Sequence, residues 1–161
     1  MTADSFTGSH NGAGLRVGIV QARFNRDVCD ALLKGCLGEL ARCGVAESDT
    51  LVCTVPGALE IPWALHRLAR SGQFDALIAL GAVIKGDTYH FEVVCNESAA
   101  GVGRVALKNR VPIANAILTT YTDAQAEERA PVKGAEAAQV AIEMANLGTM
   151  IDTLEAEEGD D

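Results

Sequence analysis

The apolar stretch Ala76–Ile84 constrains the fold of this chain more than any other feature, because it contains no polar side chain. A strand with one face in solvent alternates apolar and polar residues, whereas a strand covered by helices on both faces does not. Apolar runs of strand length also occupy residues 16–20, Thr50–Val55 and 112–119, and segments with helical periodicity separate them. This alternation predicts a four-stranded parallel sheet in a three-layer α/β/α sandwich.

Residues that follow the first three runs predict where the helices begin. Asn25 is placed to cap a first helix, and Pro62 falls in the first turn of a second, where proline is tolerated. Asp87 or Thr88 is placed to cap a third helix that runs towards residue 109. Each strand is therefore expected to lead directly into a helix.

The C-terminal part of the chain predicts two helices. Thr122 and Gln125 have the spacing of a capping box, which predicts a short fourth helix. Residues 134–154 form a second, longer helical pattern. We expect Pro131 to separate the two, because proline inside a helix removes a hydrogen bond and clashes with the preceding turn.

The length of 161 residues indicates one domain, which we place at residues 15–154. Residues 1–14 are small, polar and rich in glycine, so we expect a flexible N-terminal arm, and residues 155–161 form an acidic, solvated tail. The net charge of −9 argues against general binding to nucleic acid or anionic membranes. The chain shows no signal-peptide pattern and no apolar run of membrane-spanning length, so we expect a cytoplasmic protein.

The five cysteines indicate neither a disulfide framework nor a metal site. They include no CxxC pair and no clustered histidines. Three of them, Cys29, Cys36 and Cys43, recur every seven residues, which places them on one face of a helix. We interpret them as reduced and packed against the core.

Ligands of open α/β sheets bind beyond the carboxyl ends of the strands, so the candidate site residues are those that follow each apolar run. Four segments qualify, namely residues 21–25, 56–62, 85–90, and 119–120 with the following Arg129 and Lys133. We expect these segments to meet at one edge of the sheet.

The segment 86–90 has the features of an anion site beside a proton donor. The backbone N–H groups of Gly86, Asp87 and Thr88 at a helix start suit a phosphate, which Arg129 would complete, but an ordinary capped turn explains them equally well. His90 in the first helical turn is suited to exchange protons at physiological pH, although a lone histidine is more often structural.

Phe24 and Glu60 each allow two interpretations. Phe24 suits a stacking platform for a flat heterocycle, and it equally suits an apolar staple over the following helix. Glu60 suits contacts to polyol hydroxyls, but stabilisation of a helix N-terminus is the more common role of an acid at such a position.

Together the four segments resemble the lumazine synthase family. The matching sequences are ARFN at 22–25, VPGALEIP at 55–62, GAVIKGDTYHF at 81–91, and ILTT at 117–120 followed by QAEER at 125–129. Their order and spacing extend the resemblance over nearly all of residues 15–154. It implies a flavodoxin-like fold and the condensation of 5-amino-6-(D-ribitylamino)uracil with 3,4-dihydroxy-2-butanone 4-phosphate, without a cofactor or a metal.

The resemblance also implies roles for individual residues. His90 would transfer protons and Arg129 would pair with the phosphate, which Asp87 and Thr88 hold. Phe24 would stack on the pyrimidine, whose edge meets backbone groups of the third strand. The complete set of implied substrate contacts is Phe24, Asn25, Ala58, Leu59, Glu60, Ala82, Val83, Ile84, Asp87, Thr88, Asn115, Arg129 and Lys133.

The family implies a homo-oligomer with sites between neighbouring subunits of a pentamer. Asn115, Arg129 and Lys133 would then reach the site of the adjacent chain. Leu59 and Asn115 stand where many members have phenylalanine, so stacking should depend more on Phe24. The link between Arg129 and Lys133 is short, which favours an isolated pentamer over a sixty-subunit shell.

Three alternatives remain open from the sequence. The first is an enzyme that forms a Schiff base at Lys85. The second is an archaeal-type riboflavin synthase, which dismutates lumazine. The third is a flavin-binding or shell-forming protein of the same fold without catalytic activity.

Overall fold

The four predicted strands form one parallel sheet in the computed structural model, which describes residues 2–157. The sheet has the order β2-β1-β3-β4. Strand β3 is buried along all but its last residue, which confirms that helices cover both of its faces. The strands are β1 (Val17–Ala22), β2 (Thr50–Val55), β3 (Ala76–Ile84) and β4 (Ile113–Thr120).

The four helices lie in two layers, with α1 and α4 packed together on one face of the sheet and α2 and α3 on the other. The chain moves from β1 outward to β2 and then back across β1 to β3 and β4. Right-handed crossovers in opposite directions place their helices on opposite faces, which confirms the three-layer, flavodoxin-like sandwich. The helices are α1 (Arg26–Arg42), α2 (Ile61–Arg70), α3 (His90–Asn109) and α4 (Asp123–Glu157).

The predicted break at Pro131 is wrong, because α4 continues through this residue for a total length of 35 residues. Pro131 lacks the N–H that would bond the carbonyl of Glu127, a defect that costs about 3 kcal/mol in an exposed helix. Its own carbonyl packs closely against Gly35 of α1, so the packing of the two helices offsets the defect. No helix within residues 2–157, α4 included, is apolar enough over a sufficient length to cross a membrane.

The capping prediction is confirmed for α4, is confirmed for α1 in position but not in bonding, and is wrong for α3. The N–H of Gln125 donates to Thr122 Oγ1 at 3.2 Å, which is one half of a capping box, and Gln125 Oε1 accepts from the N–H of Tyr121 at 2.9 Å. Asn25 is the N-cap residue of α1, but its side chain makes no capping hydrogen bond. Helix α3 begins after Tyr89, so neither Asp87 nor Thr88 is its N-cap residue, and its N-terminus has no side-chain cap.

The N-terminal segment, predicted to be a free arm, contacts α4 over part of its length. Gly8 is buried against the backbone of Glu143, and Asn146 Nδ2 donates to the carbonyl oxygen of Ser9 at 2.9 Å. The segment has little regular structure of its own and relies on α4 for these contacts. At the other end, α4 includes residues 155–157 of the predicted tail, and residues 158–161 lie outside the described part of the chain.

The cysteines of α1 are packed as the seven-residue spacing predicts. Cys29 and Cys36 are fully buried, and Cys43 is partly buried. Burial raises the pKa of the Cys29 thiol to about 11 and that of Cys36 to about 12, because the thiolate is poorly solvated there. These two thiols are therefore protonated and unreactive at neutral pH.

Candidate functional site

The candidate site lies where β1 and β3 separate. Their pairing ends at Gln21 and Leu80, whereas β3 continues to Ile84 paired with β4 alone. A cavity of about 410 Å³ opens in this gap, which is the topological switch point of the sheet. Ten of the predicted site residues line the cavity: Phe24, Asn25, Ala58, Leu59, Glu60, Ala82, Val83, Ile84, Thr88 and His90.

Strand β3 presents backbone polar groups to this cavity. The N–H groups of Leu77 and Lys85 donate towards β4, each at 2.9 Å, to Pro112 and Thr120. Since alternate residues of a strand direct their N–H and C=O groups to opposite neighbours, Ala82 and Ile84 direct theirs towards β1. Beyond the last β1 pair, the carbonyl of Ala82 accepts from the Asn25 side chain, whereas Ile84 lines the cavity, where its backbone groups suit a planar ligand with amide-like donors and acceptors.

Phe24 lines the cavity and is 72% exposed. This exposure rules out the staple interpretation, because a staple is packed against the helix it covers. The N–H of Phe24 donates to the carbonyl of Pro56 at 3.0 Å, and Asn25 next to it has a left-handed backbone with φ 59°. The Asn25 amide Nδ2 donates to the carbonyl oxygen of Ala82 at 2.9 Å.

The loop after β2 forms a second wall of the cavity. Residues Ala58–Glu60 make a single 3₁₀ turn, in which the N–H of Glu60 donates to Gly57 at 3.2 Å. Glu60 is the N-cap residue of α2, yet its carboxylate makes no capping hydrogen bond and lines the cavity instead. The exposed Glu60 carboxylate can accept hydrogen bonds from hydroxyl groups, and the half-exposed Leu59 beside it can contact carbon atoms. This wall therefore suits a hydroxylated carbon chain.

The N-terminus of α3 opens on the same cavity. Thr88, His90 and Phe91 line it, and the backbone N–H groups of the first turn have no side-chain cap. Uncapped N–H groups at a helix N-terminus, together with the helix dipole, attract anions. Among residues 2–157, no three His, Cys, Asp or Glu side chains are grouped as ligands of a metal would be.

Four predicted site residues do not line the cavity of their own chain. Asp87 is exposed, although its neighbours on both sides line the cavity. Asn115 is exposed on β4, and its Oδ1 accepts from the N–H of Ile117 at 2.9 Å. Arg129 is about half exposed on α4, where Nη1 donates to Gln125 O at 3.1 Å, and Lys133 pairs with Glu136 at 2.8 Å.

Two lining residues of α3, Phe91 and Val94, were missed by sequence reasoning. Val94 follows His90 by one helical turn, so helical periodicity applied to His90 would have found it. The ring of Phe91 lies 6.1 Å from that of Tyr121, and Lys85 Nζ lies 5.6 Å from the centre of the Tyr121 ring. Lys85 is absent from the residues that line the cavity, which disfavours its role as a Schiff-base residue.

The fold and the position of the cavity define a flavodoxin-like α/β protein with a small-molecule site at its switch point. The family profile of 6,7-dimethyl-8-ribityllumazine synthase matches residues 14–149. The chain is 60% identical to the 6,7-dimethyl-8-ribityllumazine synthase of Ralstonia pickettii over 151 residues, which cover 94% of this chain and 91% of that relative. It is 62% identical to the enzyme of the same name from Burkholderia multivorans over 150 residues, 93% of this chain and 85% of the relative. The chain belongs to the 6,7-dimethyl-8-ribityllumazine synthase family.

Proposed function

We propose that this chain acts in riboflavin biosynthesis as a transferase. It condenses 5-amino-6-(D-ribitylamino)uracil with 3,4-dihydroxy-2-butanone 4-phosphate and releases 6,7-dimethyl-8-ribityllumazine, inorganic phosphate and water. The observation that carries the proposal is one cavity that joins a stacking ring, the end of β3 beyond its pairing with β1, a carboxylate and an uncapped helix N-terminus. These four features correspond to the pyrimidine, its polar edge, the ribityl chain and the phosphate.

The pyrimidine lies on Phe24, and its polar edge meets the backbone of Ala82 and Ile84, where the Ala82 carbonyl also accepts from Asn25. Support comes from the exposure of the Phe24 ring and from the end of strand pairing at Leu80. Val83 completes this wall. Ala58, Leu59 and Glu60 line the ribityl chain, whose hydroxyl groups are suitable donors to the Glu60 carboxylate.

The phosphate binds at the N-terminus of α3, where Thr88 lines the cavity and Asp87 contributes its backbone N–H. His90, in the first turn of this helix, moves protons during imine formation and phosphate elimination. Both the amine and the electrophile come from the substrates. The protein's contribution is therefore to hold them together and to transfer protons between them.

The site is completed by a second copy of the chain in a homopentamer. Asn115, Arg129 and Lys133 lie on β4 and α4, outside the cavity of their own chain, and are exposed. Exposed apolar side chains support an oligomer, since Leu51 on the edge strand β2 and Leu107 on α3 would otherwise face water. Arg129 of the neighbouring subunit would pair with the phosphate, as a guanidinium matches the geometry of phosphate oxygens.

The enzyme is proposed to act in the cytoplasm. All five cysteines are free thiols in the structure. Free thiols, two of them in the core, suit a reducing compartment. Fractionation of the source cells, with the protein detected by antibody, would test this placement.

The direct test is formation of lumazine from the two substrates, followed by absorbance and fluorescence against the spontaneous rate. We expect acceleration by the wild type, strong loss in Arg129→Ala, and full activity in the matched control Arg110→Ala, an exposed arginine paired with Glu155. Riboflavin formed from lumazine alone would support the riboflavin synthase alternative. Tight binding of flavin by a folded oligomer that does not accelerate condensation would support the non-catalytic alternative.

A further inference from the structure

We propose that Asn25 is a positioning residue that holds Phe24 over the cavity through its bond to Ala82, rather than a ligand of the substrate. The hydrogen bond from Asn25 Nδ2 to the carbonyl oxygen of Ala82 is 2.9 Å long and joins residues 57 apart in sequence. The consequence for catalysis rests on the proposed function, whereas the anchoring itself does not.

The bond spans the gap in which the strands separate. Pairing of β1 with β3 ends at Gln21 and Leu80, so the carbonyl of Ala82 has no partner on β1. The Asn25 amide donates a hydrogen bond to that carbonyl, in place of a backbone N–H from a neighbouring strand. An unpaired carbonyl in a partly buried position is unfavourable, so the bond is expected to persist in solution.

Phe24 depends on this bond because its ring has few contacts of its own. The residue is 72% exposed, so packing alone does not fix the orientation of its ring. The backbone of Phe24 is tied to the β2 side by its N–H bond to Pro56, at 3.0 Å. The Asn25 side chain makes the corresponding hydrogen bond on the β3 side. The backbone around Phe24 is therefore held by hydrogen bonds to both walls of the cavity.

The backbone conformation favours asparagine at this position. Asn25 has φ 59°, in the left-handed region that asparagine and glycine adopt most readily. Asn25→Gly therefore keeps the conformation and removes the amide. Asn25→Asp keeps the size of the side chain and replaces the donor by a carboxylate that repels the Ala82 carbonyl.

A double-mutant cycle with Phe24→Ala separates positioning from direct binding. The readout is the dissociation constant of 6,7-dimethyl-8-ribityllumazine, measured by quenching of its fluorescence. If Asn25 acts through Phe24, Asn25→Gly and Asn25→Asp each weaken binding about three- to ten-fold in the wild-type background, the range of one hydrogen bond, and by less than two-fold beside Phe24→Ala. Equal losses in both backgrounds would show that Asn25 contacts the ligand itself and would overturn the proposal.

A measurement without ligand tests the anchor independently of the enzyme's function. Phenylalanine replaced by 4-fluorophenylalanine gives fluorine resonances for the four phenylalanines, and Phe24→Leu assigns the one of interest. We expect this resonance to shift and narrow in both Asn25 variants, as the ring gains motion. An unchanged resonance would overturn the proposal even if the wild type makes lumazine, whereas a changed one beside an inactive wild type would refute the proposed function alone.

Discussion

Gly134 of α4 lies against the backbone carbonyl of Leu32 on α1, so close that a Cβ atom would overlap the oxygen. Gly35 of α1 lies in the same way against the carbonyl of Pro131. The two helices therefore meet backbone to backbone at reciprocal glycines. The two contacts lie at Pro131 and three residues after it. Close packing of the helices there offsets the missing hydrogen bond, so α4 remains continuous through the proline.

Replacement of Gly134 by alanine is expected to lower the free energy of unfolding by about 1–3 kcal/mol, because the helices must move apart. In a helix without such a contact, alanine would instead stabilise by about 0.5–1 kcal/mol. Gly38→Ala on α1 is the matched control, since nothing lies within 4 Å of a Cβ atom there. Urea unfolding of both variants measures the difference, and a stabilised Gly134→Ala would contradict the backbone contact.

The carboxylate of Glu39 links α1 to α4 and is expected to make stability depend on acidity. Arg42 Nε donates to it at 2.9 Å and Gln139 of α4 at 2.7 Å, and the side chain is only 12% exposed. The bonds from Arg42 and then Gln139 lower the pKa of Glu39 from 4.5 to about 2. A depressed carboxyl pKa adds stability above pH 4.5, and this stability is lost as the pH falls towards about 2.

The free energy of unfolding of Glu39→Gln should therefore decline less steeply than that of the wild type across this acidic window. Arg42→Ala should flatten the profile more than Gln139→Ala, because the bond from Arg42 is the larger cause of the shift. Urea unfolding at several pH values provides the comparison. Parallel profiles for the wild type and Glu39→Gln would contradict the role of this carboxylate.

Lys85 is expected to be dispensable for the chemistry. Its ammonium lies over the Tyr121 ring, outside the residues that line the cavity. Lys85→Arg retains a cation over the ring and should keep near wild-type kcat and KM. Borohydride treatment with the butanone phosphate should leave Lys85 unmodified in peptide mass analysis, and a reduced adduct at Lys85 would establish the Schiff-base alternative.

His90 and Arg129 are expected to differ in which kinetic constant they affect. His90→Ala should lower kcat by about 10²- to 10⁴-fold with little change in KM, as loss of a proton-transfer group does. Arg129→Ala should raise KM for the butanone phosphate and also lower kcat, because the phosphate is bound in both ground and transition states. Steady-state kinetics distinguish the two, and a loss under ten-fold in His90→Ala would reduce His90 to a positioning role.

Patterns local in sequence predicted most of the fold. The unbroken apolar run of β3 implied burial on both faces, and Thr122 with Gln125 marked the start of α4. The continuity of α4 through Pro131 was not predictable in this way, because the rule that proline breaks a helix considers only residues close in sequence. The compensating contact comes from Gly35, which only the folded structure brings close.

The candidate site was likewise predictable only where a pattern local in sequence indicated it. The rule that ligands bind at the carboxyl ends of parallel strands selected the loops after β1, β2 and β3, and these line one cavity. The partner of the Asn25 side chain was not predictable, because a local capping role competed with a distant carbonyl on Ala82. The placement of Arg129 in the site of a neighbouring subunit came from the family resemblance rather than from a local pattern, and it stays a prediction.

The measurement that tests the proposed shared site most directly is lumazine formation by mixed oligomers of His90→Ala and Arg129→Ala chains, co-expressed with different tags. In a ring with head-to-tail interfaces, random mixing pairs an intact His90 cavity with an intact neighbouring Arg129 in about a quarter of the sites. The account predicts that the mixture regains about this fraction of wild-type activity, well above either variant alone. Activity no greater than the average of the two variants would contradict a site built from two subunits.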